Sequence, residues 1–175
     1  FQAHLTPLDE AIQQAENTDG LTIFSDAADA TASGAAGDSN AIFKELLDSS
    51  FSKRSLLSIV DAPAVAAAFK AGVGSQTVVA LGGTRDTGRF SPVEVSVHVQ
   101  SLHDGQFTYE DGTVARAGRV AVLVSGLISI VVTERPVFVV GRRVLQSHGL
   151  EPTDFDVVVV KSPNGCRTWY ESIAD

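Results

Sequence analysis

The sequence predicts an α/β fold with a mixed sheet: parallel βαβ units in its first half and an antiparallel hairpin extension in its second. Two observations carry this. From Leu8 to Leu81, helical patterns alternate with short apolar runs, the order that builds parallel sheets through helical crossovers. From Val93 onward strand patterns dominate. In VEVSVHVQ every odd position from Val93 to Val99 is Val, while Glu94, Ser96, His98 and Gln100 take the other face. A period of two marks a half-buried, antiparallel strand.

The elements follow in order. Thr6 is placed to cap a first helix with Pro7 at its first position, and Asp9 and Glu10 complement the helix dipole. Leu8, Ile12 and Ala15 recur on one face until NTDG ends the helix. Leu21 to Phe24 reads as a short buried strand. SDAADATASGAAGDSN, from Ser25 to Asn40, then forms a loop without one large apolar side chain. Asp38 or Ser39 is placed to cap a second helix, Ala41 to Leu47, with Ile42, Phe43, Leu46 and Leu47 on its apolar side. RSLLSIV (Arg54 to Val60) is the next strand, and DAPAVAAAFKAG is an Ala-rich helix capped by Asp61 and closed by Gly72. Gln76 to Leu81 forms a third strand and leads into GGTRDTG. HDGQ turns into FTYE, and RVAVLV and LISIVVT are joined at Ser125-Gly126, a hairpin signal. A helix around Arg142 to His148 and a buried strand in DVVVVK complete the order. No repeat or linker divides the chain, so residues 1–175 read as a single domain.

Composition excludes several functions. With 44% hydrophobic and 19% charged residues, the chain has the balance of a soluble globular protein, and its apolar runs are far too short to span a membrane. The net charge of −8, with 13 basic residues scattered along the chain, argues against nucleic-acid binding. One cysteine, Cys166, cannot form an internal disulfide. Together with an N-terminus that lacks a signal-peptide pattern, this favours a reducing, cytoplasmic setting. The chain opens on Phe1 and contains no Met, as expected of a piece of a longer protein.

Metal and nucleophile patterns are missing. His4, His98, His103 and His148 include no pair at helical i, i+4 spacing, and an ideal strand sends His98 and His103 to opposite faces. No metal site is therefore expected within this chain. There is no G-x-S-x-G elbow, and Cys166 stands beside Arg167 without an evident His partner.

The loops after the strands are the better candidates, because ligands of open α/β sheets collect at the carboxyl ends of parallel strands. These loops are Ser25 to Asp38, Asp61-Ala62-Pro63, Gly82 to Asp86, and Lys161-Ser162. Gly34 and Gly37 allow close approach of backbone amides to a ligand, and the helix that follows favours an anion. SGAAGDSN is neither a Walker A motif nor a G-x-G-x-x-G fingerprint. A tight structural turn and a ligand-facing loop both remain open, and Asp38 and Asp61 also fit as plain helix caps.

Four segments in order, DAADATASGAAGDSN, VDAPAVAAAFKAGVG, LGGTRDTGRFSPVEV and DFDVVVVKS, resemble the C-terminal domain of the MlrC-like metallopeptidases. The resemblance runs from about Leu5 to Ile173 and implies a two-part protein. By that resemblance a larger N-terminal domain, absent from this sequence, is expected to carry the zinc and to hydrolyse peptide-like amide bonds. The present domain is expected to pack on it, to line the substrate cleft, and to have neither a catalytic residue nor a metal ligand of its own. The candidate cleft residues are Asp29, Ser33, Gly34, Gly37 and Asp38 in the first loop and Asp61 in the second. Gly83 and Thr84 in the third loop, and Lys161 and Ser162 in the fourth, join them. Two departures stand out. Many relatives have Asn-Pro-Gly-Gly-Gly where this chain has Ala30 to Gly34, and a His, an aromatic residue and Arg where it reads PNGCRTWYE. Two other functions compete: a stand-alone small-molecule or anion-binding module, and an assembly role. In the latter, LISIVVT and the Val-rich strand would be edges or interfaces of a homo-oligomer.

Overall fold

A computed structural model describes residues 5–174, so His4 lies outside the described residues. The first helix, α1 (Leu8–Asn17), begins one residue later than predicted. Pro7 is its cap, with an extended ψ of 144° and no side-chain cap bond, so Thr6 does not cap the helix. Strand β1 (Thr22–Ser25) and helix α2 (Ala41–Asp48) flank the small-residue loop. Then come β2 (Ser55–Val60), α3 (Ala62–Ala71) and β3 (Gln76–Leu81). The second half holds β4 (Val93–His103), the short pair β5 (Gln106–Thr108) and β6 (Val114–Arg116), and the hairpin β7 (Val120–Ser125) and β8 (Ile128–Thr133). Helix α4 (Arg143–Gln146), strand β9 (Val157–Val160) and helix α5 (Arg167–Tyr170) finish the chain.

Seven strands form one mixed sheet in the order β1-β9-β2-β8-β7-β4-β3. β1, β9, β2 and β8 run parallel, and the β8–β7, β7–β4 and β4–β3 pairs are antiparallel. The α/β class and the mixed sheet agree with the sequence. One detail differs: β3 pairs antiparallel with β4 rather than continuing a parallel unit. Its outer face, with Gln76, Val78 and Ala80, is exposed. Antiparallel strands tolerate a wet face, whereas parallel ones need cover on both.

The sheet separates two cores. On one face Ile12 of α1, Phe43 and Leu46 of α2, and Val65 and Ala68 of α3 pack on Leu57, Ile59, Ile130 and Val159. On the other, Leu145 of α4, Tyr170 of α5 and Phe107 of β5 pack on Leu56, Val122, Val131 and Val158. Adjacent residues of one strand enter opposite cores, as the pleat requires. Each fully buried Leu or Ile contributes roughly 1.5–3 kcal/mol relative to exposure.

β8 lies between β2 and β7 with all six residues buried, and β4 lies between β7 and β3. Neither is an edge, which overturns the expectation that LISIVVT and the Val-rich strand offer free edges. The edges are β1 and β3. The hairpin loop is Gly126-Leu127, one residue beyond the predicted pair, because Ser125 still pairs with Ile128. Gly126 takes the left-handed φ of 57° that the first loop position of a type II′ turn requires.

In β4 the register slips between Val99 and Ser101, leaving Gln100 as an extra residue. The bulge resets the alternation: Val99 and Leu102 both face the first core, so His98 and His103 fall on the same nominal face rather than opposite ones. His103 packs edge-to-face on His148, 4.9 Å between ring centres. Among the described residues no helix is long and apolar enough to cross a membrane.

Candidate functional site

The carboxyl ends of β1, β2 and β9 lie at one end of the parallel part of the sheet, and their loops meet there. The first cluster joins β1 to β9. Asp29 is buried, and its Oδ1 accepts from the Gly37 amide at 2.8 Å while Oδ2 accepts from the Ser39 amide at 2.9 Å. Lys161, at the end of β9, donates its Nζ to Asp29 Oδ2 at 2.6 Å and reaches Asp26 Oδ2 at 3.5 Å. The Lys161 side chain is only 3% exposed, so this ammonium is spent on the two carboxylates and offers nothing to solvent. Ser162 is buried beside it. Its carbonyl accepts from the Ser25 hydroxyl, and its Oγ accepts from the Gly165 amide at 2.9 Å.

The second cluster joins β2 to β3. Asp61 caps α3 as predicted, its Oδ1 accepting from the Ala64 amide at 2.9 Å, and its Oδ2 accepts from the Gly82 amide at 2.8 Å. Asp38 does not cap α2. That position belongs to Asn40, without a side-chain cap bond, and the Ser39 hydroxyl makes only a 3.4 Å contact with the Ala41 amide. Asp38 Oδ2 turns instead to the amides of Arg85 and Asp86, at 2.6 and 2.9 Å, and its carbonyl accepts from Gly83. Two convergent amides on a fully buried carboxylate outweigh a single exposed cap bond. Burial pushes the Asp61 carboxyl above the usual range, and the nearby charge of Asp38 raises it further.

Gly37 connects the two clusters. Its amide serves Asp29, and its carbonyl accepts from Val60 at the end of β2. Its φ is +78°, and an added Cβ would come within 2.6 Å of Thr31 Cγ2 and Val60 Cγ2, so only glycine fits. Gly83 is similarly confined, its Cβ position lying 2.9 Å from the Phe90 carbonyl carbon.

Thus eight of the ten predicted positions, all but Ser33 and Gly34, enter one hydrogen-bonded assembly or its immediate turns. Ser33 and Gly34 sit apart on an exposed 3₁₀ turn (Thr31–Ser33), where the Ser33 amide bonds to the Ala30 carbonyl. The Thr84 hydroxyl and Asp38 Oδ1 are buried with no partner among the described residues.

Several residues of the assembly escape a reading of the sequence. Asn40 is buried and donates to the carbonyls of Leu81 and Ser91, both at 2.8 Å, tying the first loop to the third. Its position before a helix signals only a cap. The segment after β8 carries no period, yet Val137 accepts from the Thr31 hydroxyl at 2.6 Å and Val139 accepts from the Lys161 amide at 2.8 Å. Nothing local marks either contact.

Chemically, the assembly is a set of anion sites already filled. Amides that could hold a ligand anion (Gly37, Ser39, Gly82, Arg85 and Asp86) are engaged by the chain's own carboxylates. These bonds fix the loops to one another, and the small-residue tip Ala32-Ser33-Gly34 is among the parts they leave exposed, with Ala27, Ala28 and Arg85. Among the described residues no three His, Cys, Asp or Glu side chains group so as to hold a metal ion.

The family model described as the MlrC C-terminus matches residues 24–175, and the chain belongs to that family. It is also similar to the crystal structure of a "Putative metallopeptidase" from Mesorhizobium sp. BNC1, with a TM-score of 0.89 and 26% identity. That likeness covers 100% of this chain and 36% of the other. No curated protein matches the sequence.

Proposed function

We propose that this member of the MlrC C-terminus family is the C-terminal domain of a zinc-dependent metallopeptidase or amidohydrolase. It packs on a catalytic domain of the same polypeptide and forms one wall of the substrate cleft. The observation that carries the reading is the hydrogen-bonded loop assembly at one end of the sheet, in a chain that spans 36% of a metallopeptidase-like one. In this reading the zinc is held by the other domain. Peptide-like amides are the substrate class, with Ser33 and Gly34 at the cleft surface. Asp29, Gly37, Asp38, Asp61, Gly83, Thr84, Lys161 and Ser162 hold that surface in shape. An independent anion-binding role is disfavoured, because the amides it needs are already bonded.

The test compares this chain alone with the chain joined to its natural N-terminal neighbour. Zinc content is measured by atomic emission and amidase activity on peptide substrates. Zinc and activity are expected only in the joined protein. Stoichiometric zinc on the isolated chain refutes the reading.

A further inference from the structure

We propose that the outer edge of β1, with the groove beside it, binds an extended peptide by strand addition. The ligand class rests on the peptidase reading above, and the site itself rests on three observations.

First, among the described residues β1 is an edge strand that pairs only with β9. Thr22 and Asp26 donate their amides to the β9 side, to Asp156 and Val160, each at 2.8 Å. Alternate residues of a strand direct their backbone groups to opposite sides. The Ile23 N–H, the Ile23 carbonyl and the Ser25 N–H therefore face outward, where no other strand of the sheet lies.

Second, a groove of about 420 Å³ runs along this edge. Its walls are Thr22, Ile23 and Ser25 on one side and Asn164, Arg167 and Tyr170 on the other. A bare edge offers only backbone complementarity. A groove alongside supplies the side-chain pocket that strand-addition sites use for specificity.

Third, the groove is continuous with the loop assembly. Its Ser25 end donates to the Ser162 carbonyl, next to the Lys161–Asp29 pair. A chain lying on β1 would therefore be directed toward the end of the sheet where the proposed cleft lies. Four strand residues match a peptide of about the same number, at ~3.3 Å per residue.

Backbone recognition is tested with fluorescein-labelled acetyl-Val-Thr-Val-Thr-Lys-amide by fluorescence anisotropy on the 175-residue chain. Saturable binding is expected with a Kd on the order of 100 µM. The same peptide N-methylated throughout its backbone is expected to bind at least about tenfold more weakly, the loss of one or two net hydrogen bonds. Ile23→Pro removes an outward N–H that the sheet does not use, so it is expected to retain its far-UV circular dichroism and lose binding about tenfold. Ile23→Ala keeps the N–H and is expected to retain most of it. Should Ile23→Pro fail to fold, the N-methylated peptide on the natural chain decides. No saturable binding, or equal affinity for the N-methylated peptide, overturns the proposal and leaves β1 a short solvated edge. The readout requires neither zinc nor turnover. Absence of saturable peptide binding to the natural sequence, with zinc and amidase activity present in the joined protein, removes this inference alone.

Discussion

Replacing Lys161 with Met tests whether the buried ion pair holds the loop assembly. The substitution keeps the stem's volume and removes the charge. It strands Asp29, whose side chain is 5% exposed, with two backbone amides and no cation at 2.6 Å. Coulomb attraction at that distance is about 6 kcal/mol at an effective dielectric of ~20, and desolvation of both ions offsets part of it. Breaking one side of a buried pair costs roughly 3–5 kcal/mol, and the retained Gly37 and Ser39 bonds place the expected loss near the lower end, about 3 kcal/mol. For a chain of this size that is roughly 6–12 °C in melting temperature. Urea unfolding followed by circular dichroism measures it, with an unchanged m-value indicating that the native fold persists. A loss under about 1 kcal/mol would refute the reasoning, since only a solvated pair is worth so little.

Four further outcomes are expected. Gly37→Ala forces a Cβ to 2.6 Å from Thr31 and Val60 at φ +78°, and should cost roughly 2–4 kcal/mol by thermal unfolding. Gly34→Ala, at φ +88° with open space, should cost only about 1 kcal/mol, and the reverse order would contradict the packing described. Asp38→Asn should lower the Asp61 pKa without restoring it to 3.8, because burial is the larger cause and Asp38's charge the smaller; carboxyl ¹³C titration reads this directly. His148 is held below its ordinary 6.5 by burial, with its ring against His103 and Phe107, its Nδ1 on the Val144 carbonyl, and Asp104 nearby. Since the unfolded chain binds that proton more readily, stability is full above pH 6.5 and falls as pH drops through the lowered folded value. His148→Phe should flatten that slope in urea midpoints measured from pH 7 to 4.5. An unchanged slope would place the titrating group elsewhere.

The elements were largely legible because their signals are local. Asp61 caps α3 and Gly72 closes it within one helix, and the Val alternation of β4 reads directly as a half-buried strand. The misplacements occurred where a distant partner competed. Asp38 stands in a cap position by sequence, but two amides 47 and 48 residues away claim its carboxylate. The parity of His98 and His103 failed because one extra residue at Gln100 shifts every later side chain. The candidate loops were recognised as a set, but their polarity pointed to a ligand, whereas most of that polarity is consumed internally. Asn40 and the Val137–Val139 carbonyls carry no local mark at all, being chosen by contacts across the fold.

The sequence by itself determined the α/β class, the helix and strand runs, the absence of a local metal motif, and the loops that gather at one end of the sheet. These depend on periodicity and capping, which act over a few residues. Tertiary structure alone decided that β9 enters between β1 and β2, that β8 is central and β1 an edge, and that Lys161 lies 132 residues along the chain from its partner Asp29. Strand order and buried pairing are set by which surfaces exclude water together, a property of the whole packed chain rather than of any segment.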